Sequence, residues 1–324
     1  MKKWAWAFLV AVVVAWGISP AVANAATSLT TLPAGITLAP FLQAVSVASF
    51  EPTKNFTIQV TNHTNSIRNF TVGVTDFGAQ NEFGGVAFLG LTESSYVAKH
   101  GLVKWLTVDQ PTFSLAPNVS TTLTLTIRND EGLMPGGHYG AVLVNETTGS
   151  GQPQANRIAA NPTVSSLIFV TKLGGEKYDL RLNKITHDAS WLHVPVVAHL
   201  RFQNPGNVAV VPRGTVQLLG PHDRLIGQGA INEDSRFILP DAYAQLTVPI
   251  KPVAAAPWWP AHYTLRINYR YDGLAQTATH SEKFYFINPL HVLVSVVIIL
   301  GLTIALYCYR YSLWITLKKL RLHP

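Results

Sequence analysis

The 324-residue chain is poor in cysteine, with only Cys308, and this scarcity limits how it can be stabilised. No intramolecular disulfide can form, so each folded domain must be held together by its own hydrophobic core. Charged residues are also scarce, at 13% of the chain. None occurs from Pro289 to Tyr309, and no Asp or Glu occurs from Pro289 to Pro324. A run this long and apolar predicts a bilayer-spanning helix.

Excess positive charge lies at the two ends of the chain. The basic residues there are Lys2, Lys3, Arg310, Lys318, Lys319 and Arg321. The body between them holds 18 basic and 17 acidic groups, a balance of +1. The overall net charge of +7 therefore orients the chain in a membrane and does not indicate a polyanionic partner such as nucleic acid. We expect the body outside the cytoplasm and a basic tail, residues 311–324, inside it.

The first 26 residues have the features of a secretory signal peptide. Two lysines precede an apolar run from Trp4 to Ile18, and Ala23-Asn24-Ala25 provides a small-residue cleavage site. An uncleaved anchor helix is the alternative, although this apolar run is short for a membrane span. No cysteine directly follows the signal, so a lipoprotein anchor at that site is excluded. We predict a signal peptide over residues 1–26 and a transmembrane helix over residues 288–310.

Alternation of apolar residues with threonine dominates the body. Residues 56–61 and 123–127 place apolar groups on one face and mainly threonine on the other, as a half-buried strand requires. Phe113 and Tyr139 bound one segment, Phe237 and Tyr263 bound a similar one, and both pairs are 26 residues apart. We therefore predict an all-β fold with two tandem immunoglobulin-like β-sandwich domains, residues 27–174 and 175–287, plus the C-terminal transmembrane helix.

Each repeated segment ends in a His-Tyr pair. In an immunoglobulin-like sandwich, a tyrosine at this corner covers the turn and bonds its hydroxyl to the upstream backbone. Tyr139 and Tyr263 are predicted to do so, while His138 and His262 point to the opposite face. The histidines are thus interpreted as part of a structural corner and not as catalytic groups.

The overall arrangement resembles the WxL-interacting surface proteins of Gram-positive bacteria. The resemblance rests on the signal, the tandem domains, the span and the basic tail. It also includes Phe56-Thr57-Ile58-Gln59-Val60-Thr61-Asn62 and Pro135-Gly136-Gly137-His138-Tyr139. Residues 202–207, Phe-Gln-Asn-Pro-Gly-Asn, are similar to a strand-turn signature of bacterial surface modules and distant pilus chaperones. The resemblance implies a first domain associated with peptidoglycan and a second that binds partner or host proteins.

No motif for catalysis, cofactor binding or metal binding stands out. The sequence contains no nucleophile elbow, zinc-binding His-Glu-x-x-His helix or phosphate-binding glycine loop. His187, His193 and His199 would be too far apart for one metal ion if they lay on one continuous strand. We therefore predict a protein that is not an enzyme and has no cofactor. Sequons begin at Asn55, Asn62, Asn69, Asn118 and Asn145, and we interpret them as polar strand edges.

Three groups of residues are candidates for binding. The insertion from Ala79 to Gly101 either packs against the second domain or exposes an apolar patch to a protein partner. Membrane-distal loops, residues 63–68 and 147–162, are the second group. The candidate partner-binding residues are Phe83, Phe88, Tyr96, His63, Arg68 and Arg157. The candidate membrane-interface residues, chosen because aromatic rings favour the headgroup region, are Trp258, Trp259, Tyr309, Tyr311 and Trp314. For Trp258 and Trp259 the alternative is that one of them caps the lower core of the second domain.

These features predict a non-enzymatic, membrane-anchored binding or scaffold protein of the bacterial cell surface. It would contact cell-wall polymer or another surface protein, with one membrane span and no nucleic acid. The alternative is a chaperone-like accessory protein for surface assembly, which would offer a sheet edge to a client strand. An accessible unpaired edge in the first domain would favour this alternative. A membrane-bound enzyme is a third possibility, and it would need a convergent polar pocket.

Overall fold

The computed structural model of the chain describes residues 35–90, 93–147, 163–188, 194–257, 259–274 and 277–320. The predicted signal peptide, Arg157, His193 and Trp258 lie outside these ranges. About half of the described residues belong to strands, nearly all of them paired antiparallel, and an apolar helix lies at the C-terminal end. The predicted β fold with one C-terminal apolar helix is therefore confirmed, whereas the division into two domains stays a prediction.

The first half of the body, residues 35–172, consists of two facing sheets. Its elements are β1 Ile36–Ala39, β2 Leu42–Val47, β3 Thr53–Asn62, β4 Arg68–Ala79, β5 Val86–Gly90, α1 Ser95–His100, β6 Leu106–Val108, β7 Thr112–Leu115, β8 Ser120–Arg128, β9 Gly136–Glu146 and β10 Thr163–Lys172. One sheet has the order β1-β3-β8-β6, and the other has the order β2-β10-β9-β4-β5 with β7 also on β4. The alternating apolar residues of β3 and β8, including Ile58 and Leu125, fill the core between the sheets.

The second half, residues 176–288, has the same two-sheet construction and its own core. Its strands are β11 Arg181–His187, β12 Val197–Gln203, β13 Arg213–Leu219, β14 Leu225–Ile231, β15 Tyr243–Pro249, β16 Lys251–Pro252, β17 Ala261–Arg270 and β18 Ala278–Phe286. The sheet orders are β11-β12-β15 and β16-β14-β13-β17-β18. The core contains Phe202, Leu246 and Tyr263, which are all buried.

Two buried asparagines repeat one hydrogen-bond pattern in the two halves. The Asn62 amide donates to the carbonyls of Ser66 and Leu115, and its oxygen accepts from the Thr64 N–H. The Asn204 amide donates to the carbonyls of Val208 and Ile238, and its oxygen accepts from the Gly206 N–H. Asn62 thus ties the end of β3 to β7 of the opposite sheet, and Asn204 ties the chain just after β12 to the segment around Ile238. Because Asn62 is fully buried, that sequon cannot carry a glycan in the folded chain.

The histidines considered for a metal site do not lie on one strand. His187 ends β11, and His199 lies in the neighbouring strand β12. His187 pairs with the buried Ala198 and its ring contacts Phe284, whereas His199 contacts Thr247 on the other face of the sheet. The assumption of one continuous strand was wrong, because His187 and His199 belong to two separate strands that pair antiparallel.

The C-terminal helix α2 spans Pro289–Leu320 and follows β18 directly. Its segment Pro289–Ile315 is long and apolar enough to cross a membrane, and none of it is buried against the body. Tyr309, Tyr311 and Trp314 are exposed on this helix. A helix that leaves its apolar side chains uncovered is unfavourable in water, which supports the predicted span over a buried core helix.

Candidate functional site

The two halves of the body meet at an apolar junction that covers the outer face of β9. Phe77, Tyr139, Ala141 and Phe169 of the first half pack with Leu239 of the second half. These side chains are not part of the core that lies between the two sheets of the first half. We call this set the junction cluster. It explains why β9 is buried on both faces, although an ordinary sandwich strand is buried on one.

Tyr139 bonds across the junction and not to its own corner. Its hydroxyl accepts a hydrogen bond of 2.7 Å from the Ala209 N–H in the second half. Beside it, the Gly137 N–H donates to the Asn207 carbonyl at 2.7 Å. The predicted Tyr139 corner is therefore wrong, because the second half supplies the hydroxyl's partner. The segment that resembles a surface-module signature, residues 202–207, ends at this contact.

Tyr263 lies in the core of the second half and has a different environment. Its ring is fully buried, and its hydroxyl has no hydrogen-bond partner among the described residues. The predicted corner bond is wrong here too. The two tyrosines match in sequence position, yet one faces a neighbouring half and the other faces its own core.

The two histidines lie on the opposite face from these tyrosines, as predicted. His138 is buried, and its ring nitrogens contact the carbonyls of Gly101 at 3.1 Å and Met134 at 2.7 Å. Burial lowers the pKa of His138 despite these acceptors. His262 is exposed and packs against Tyr285. Among the described residues, neither histidine lies beside a nucleophile or carboxylate arranged for general acid–base catalysis.

The tip of the insertion, residues 81–85, is attached to the second half. Arg201 binds the Glu82 carboxylate with two nitrogens, and the hydrogen bond from Arg201 lowers the pKa of Glu82. Arg236 donates to the carbonyls of Glu82 at 2.7 Å and Phe83 at 2.8 Å. Of the two interpretations of the insertion, these contacts support packing against the second half.

A shallow cleft of about 360 Å³ lies beside the insertion. It is lined by Gly78, Leu89, Tyr96, Asp241 and Tyr243, among others. The Tyr96 hydroxyl is buried without a partner among the described residues, and burial raises the pKa of Tyr96. Asp241 lies 3.6 Å from Lys99, so its charge is already compensated. The predicted binding residue Tyr96 thus belongs to the lining of the cleft, but its hydroxyl is buried beneath the surface and does not face solvent.

The other predicted binding residues are scattered. Phe83 is 74% exposed at the tip of the insertion, and Phe88 is 49% exposed on β5. His63 contacts the Thr37 hydroxyl at 3.0 Å, and Arg68 forms an ion pair with Glu146. Trp259, 49% exposed, lies near the start of β17. The structure does not bring these residues together into one site.

An unpaired sheet edge at the start of β10 was not identified from the sequence. Strand β2 runs alongside β10 only from Leu167, which pairs with Leu42. Before Phe41 the chain crosses at Pro40 to the other sheet, where β1 pairs with β3. Residues 163–165 of β10 therefore pair with β9 on one side and with no described strand on the other, and Ser166 bounds this stretch because its hydroxyl donates to the Pro40 carbonyl at 2.7 Å. We call this stretch the open edge.

The direction of the backbone groups at the open edge follows from the neighbouring pairing. The Leu167 N–H donates to the Phe41 carbonyl at 2.8 Å, so it points away from β9. Backbone groups alternate along a strand, so the N–H and C=O groups of Thr163 and Ser165 point the same way. Phe41, 74% exposed, lies where β2 begins beside this edge. The open edge thus offers two donors, two acceptors and an adjacent aromatic ring.

Comparison with known proteins finds a distant likeness in solved structures. No protein-family profile and no curated protein matches the chain. A class 5 fimbriae chaperone, CfaA, matches at 10% identity over 76% of this chain and 99% of its own, with a TM-score of 0.39. The E. coli chaperone DraB matches at 13% identity over 78% and 97%, with a TM-score of 0.34. A Salmonella enterica SafA pilin–SafB chaperone complex matches at 11% identity over 77% and 95%, with a TM-score of 0.38.

The structural neighbours are therefore fimbrial chaperones, and the expected distant likeness to pilus chaperones is confirmed. The resemblance to WxL-interacting proteins stays a prediction, because no family profile supports it. Similarity this distant says nothing about what the chain binds.

Proposed function

We propose that this chain is a membrane-anchored, non-enzymatic, chaperone-like accessory protein that binds an extended segment of a partner protein as an added strand. The observation that carries the proposal is the open edge at Thr163–Ser165 of β10. Exposed edges with free N–H and C=O groups are templates for strand addition. Helix α2 would hold the body on the extracytoplasmic side of the membrane, with the basic tail in the cytoplasm.

The size of the open edge predicts transient binding. Its two outward residues can form up to four main-chain hydrogen bonds, which contribute roughly 0.5–1.5 kcal/mol each. Covering the Phe41 ring would add roughly 2–3 kcal/mol from buried apolar surface. Association itself costs several kcal/mol, so the net affinity of this site alone is modest. Modest affinity suits an accessory protein that releases its client during assembly.

Substitutions at Ser165 test the proposal. Ser165→Pro removes the outward N–H, and its ring obstructs the edge, while the bonds to β9 remain because they belong to Val164 and Ser166. Ser165→Ala keeps the N–H and is the matched control. The full-length protein in nanodiscs, with a photo-crosslinker at position 41, is exposed to a surface-protein extract, and the adducts are sequenced.

We expect the wild type and Ser165→Ala to capture the same extended segment, and Ser165→Pro to lose it with an unchanged unfolding midpoint. Hydrogen exchange provides a second measurement. The Thr163 and Ser165 amides should exchange rapidly in the free chain and slow at least tenfold when the captured segment is bound. Capture by Ser165→Pro at the wild-type level would refute strand addition at this edge.

A further inference from the structure

The near-neutral body carries its positive charge unevenly, and one sheet face collects much of it. The outer face of the five-stranded sheet β16-β14-β13-β17-β18 displays side chains that alternate with the buried ones. Its cations are Arg213, Lys251, Arg266, Arg270 and Lys283. No Asp or Glu occupies an outward position on these five strands. We call this surface the basic face.

Strand register sets the spacing of these cations. Lys283 lies beside Thr264, two residues along β17 from Arg266, so their backbones are about 8 Å apart. Arg270 lies four residues beyond Arg266, about 13 Å along the strand. Arg213 pairs with Arg270 directly across the sheet. The cations therefore form a track beside β17, roughly 20 Å long, that runs from Arg270 to the row of Lys283.

Lys251 widens this track across the sheet. It pairs with Gln228, which pairs with Gln217, and Gln217 pairs with Arg266. Three strand spacings place Lys251 about 14 Å from Arg266. The residues between the cations, including Gln217, Gln228 and Asn268, are polar hydrogen-bonding groups, so the face is polar and cationic.

Little negative charge within the described structure compensates this face. Asp223, in the loop before β14, lies 3.5 Å from Arg266. Glu282 is on the other side of β18, where it faces His187. Glu233, Asp234 and Asp272 lie in turns at the ends of the sheet, and none is within ion-pair distance of a basic-face cation in the described structure.

The pairing of Arg213 with Arg270 is unfavourable by itself. Like charges directly opposite each other on neighbouring strands destabilise a sheet. An anionic ligand lying across both side chains would relieve this repulsion and release bound counter-ions. A single phosphodiester or carboxylate group on each repeat of a linear polymer suits cations spaced about 8–13 Å apart.

We propose that the basic face binds a linear, phosphate-bearing polymer outside the cytoplasm, separately from the strand addition at β10. A flexible chain fits because Arg266, Arg270 and Lys283 lie along a line of about 20 Å on neighbouring strands, with Arg213 and Lys251 to one side. Duplex DNA instead is a rigid double chain that presents one charge about every 1.7 Å along its axis. The predicted export of the body also separates it from cytoplasmic nucleic acid.

A charge-matched pair of triple variants tests the proposal. One is Lys251→Gln/Arg270→Gln/Lys283→Gln, which removes three basic-face cations and leaves the Arg266–Asp223 pair intact. The control is Lys177→Gln/Arg181→Gln/Lys184→Gln, which removes three exposed cations elsewhere in the same half. Both are made in the full-length protein in nanodiscs of zwitterionic lipid. The probe is end-labelled poly(glycerol phosphate), and its Kd is measured at several salt concentrations.

We expect the basic-face triple to weaken binding at least tenfold and to reduce the slope of log Kd against log salt by about 2, from three lost contacts. The control should stay within twofold of wild type, and neither triple should lower the unfolding midpoint. Equal weakening by both triples would overturn the proposal, because it would show attraction to net charge alone. Equal or tighter binding of duplex DNA of the same charge would overturn the assignment to a flexible polymer.

Discussion

The two matched tyrosines give opposite predictions for the same chemical change. Tyr139→Phe removes the hydroxyl that accepts from the Ala209 N–H, and this N–H then lies at the junction without its acceptor. Leaving a buried donor unpaired costs about 1–3 kcal/mol, and because the Ala209 N–H is partly buried the cost lies towards the lower end of this range. For a chain of this size we expect the unfolding midpoint to fall by roughly 2–12 °C.

Tyr263→Phe is the matched control for this loss. Its hydroxyl is buried without a partner among the described residues, so removing it relieves a desolvation penalty and breaks no bond. We expect an unchanged or higher midpoint. Calorimetry of the full-length variants in one detergent, together with urea unfolding followed by tryptophan fluorescence, would measure both effects.

Equal losses in the two variants would refute this reasoning. They would show that both hydroxyls have the same role, as the sequence repeat predicts. A stable Tyr139→Phe variant would also contradict it, because the junction would then not depend on the bond to Ala209. If the junction weakens selectively, the two halves should also unfold in two separate steps.

Two further predictions concern buried polar groups. Asn62→Ala and Asn204→Ala should each lower the free energy of unfolding by more than about 2 kcal/mol in urea titrations, because each leaves several buried carbonyls without donors. Asn65→Ala, at an exposed position, should change it by less than about 0.5 kcal/mol, and similar losses at all three sites would contradict this account. Burial lowers the pKa of His138, so on acidification this histidine is protonated in the unfolded chain at a higher pH than in the folded chain. Stability is therefore lost as the pH falls below about 6.5. Urea unfolding at pH 7.5, 6.5 and 5.5 should show that the free energy of unfolding falls less steeply with pH in His138→Asn than in the wild type, by at most about 1.4 kcal/mol per pH unit. Identical slopes in the two proteins would refute this assignment.

Much of the fold followed from local patterns. Residues 56–61 alternate because one face of β3 meets the core, and the apolar run after Pro289 forms one long helix. Sequence spacing also identified the insertion at residues 79–101 as an unusual segment. These patterns depend on neighbouring residues of one strand or helix, so they can be read without knowing the partner elements.

The candidate sites depended on contacts that are remote in sequence. The open edge of β10 exists because the chain crosses between sheets at Pro40, more than 120 residues earlier. The basic face arises because register places Arg213 beside Arg270 and Lys251 in the same row as Arg266. A net balance of +1 cannot reveal such segregation, since it sums charges without their positions.

The sequence by itself determined the β-strand periodicity, the apolar helix and the near-neutral body. Only the tertiary structure decided which face of each strand is covered, which edge stays open and where the cations gather. Tyr139 and Tyr263 show the physical reason. The alternation of residue types shows which residues of a strand share a face. Whether that face is buried depends on a second surface that packs on it, and only the tertiary structure shows that surface.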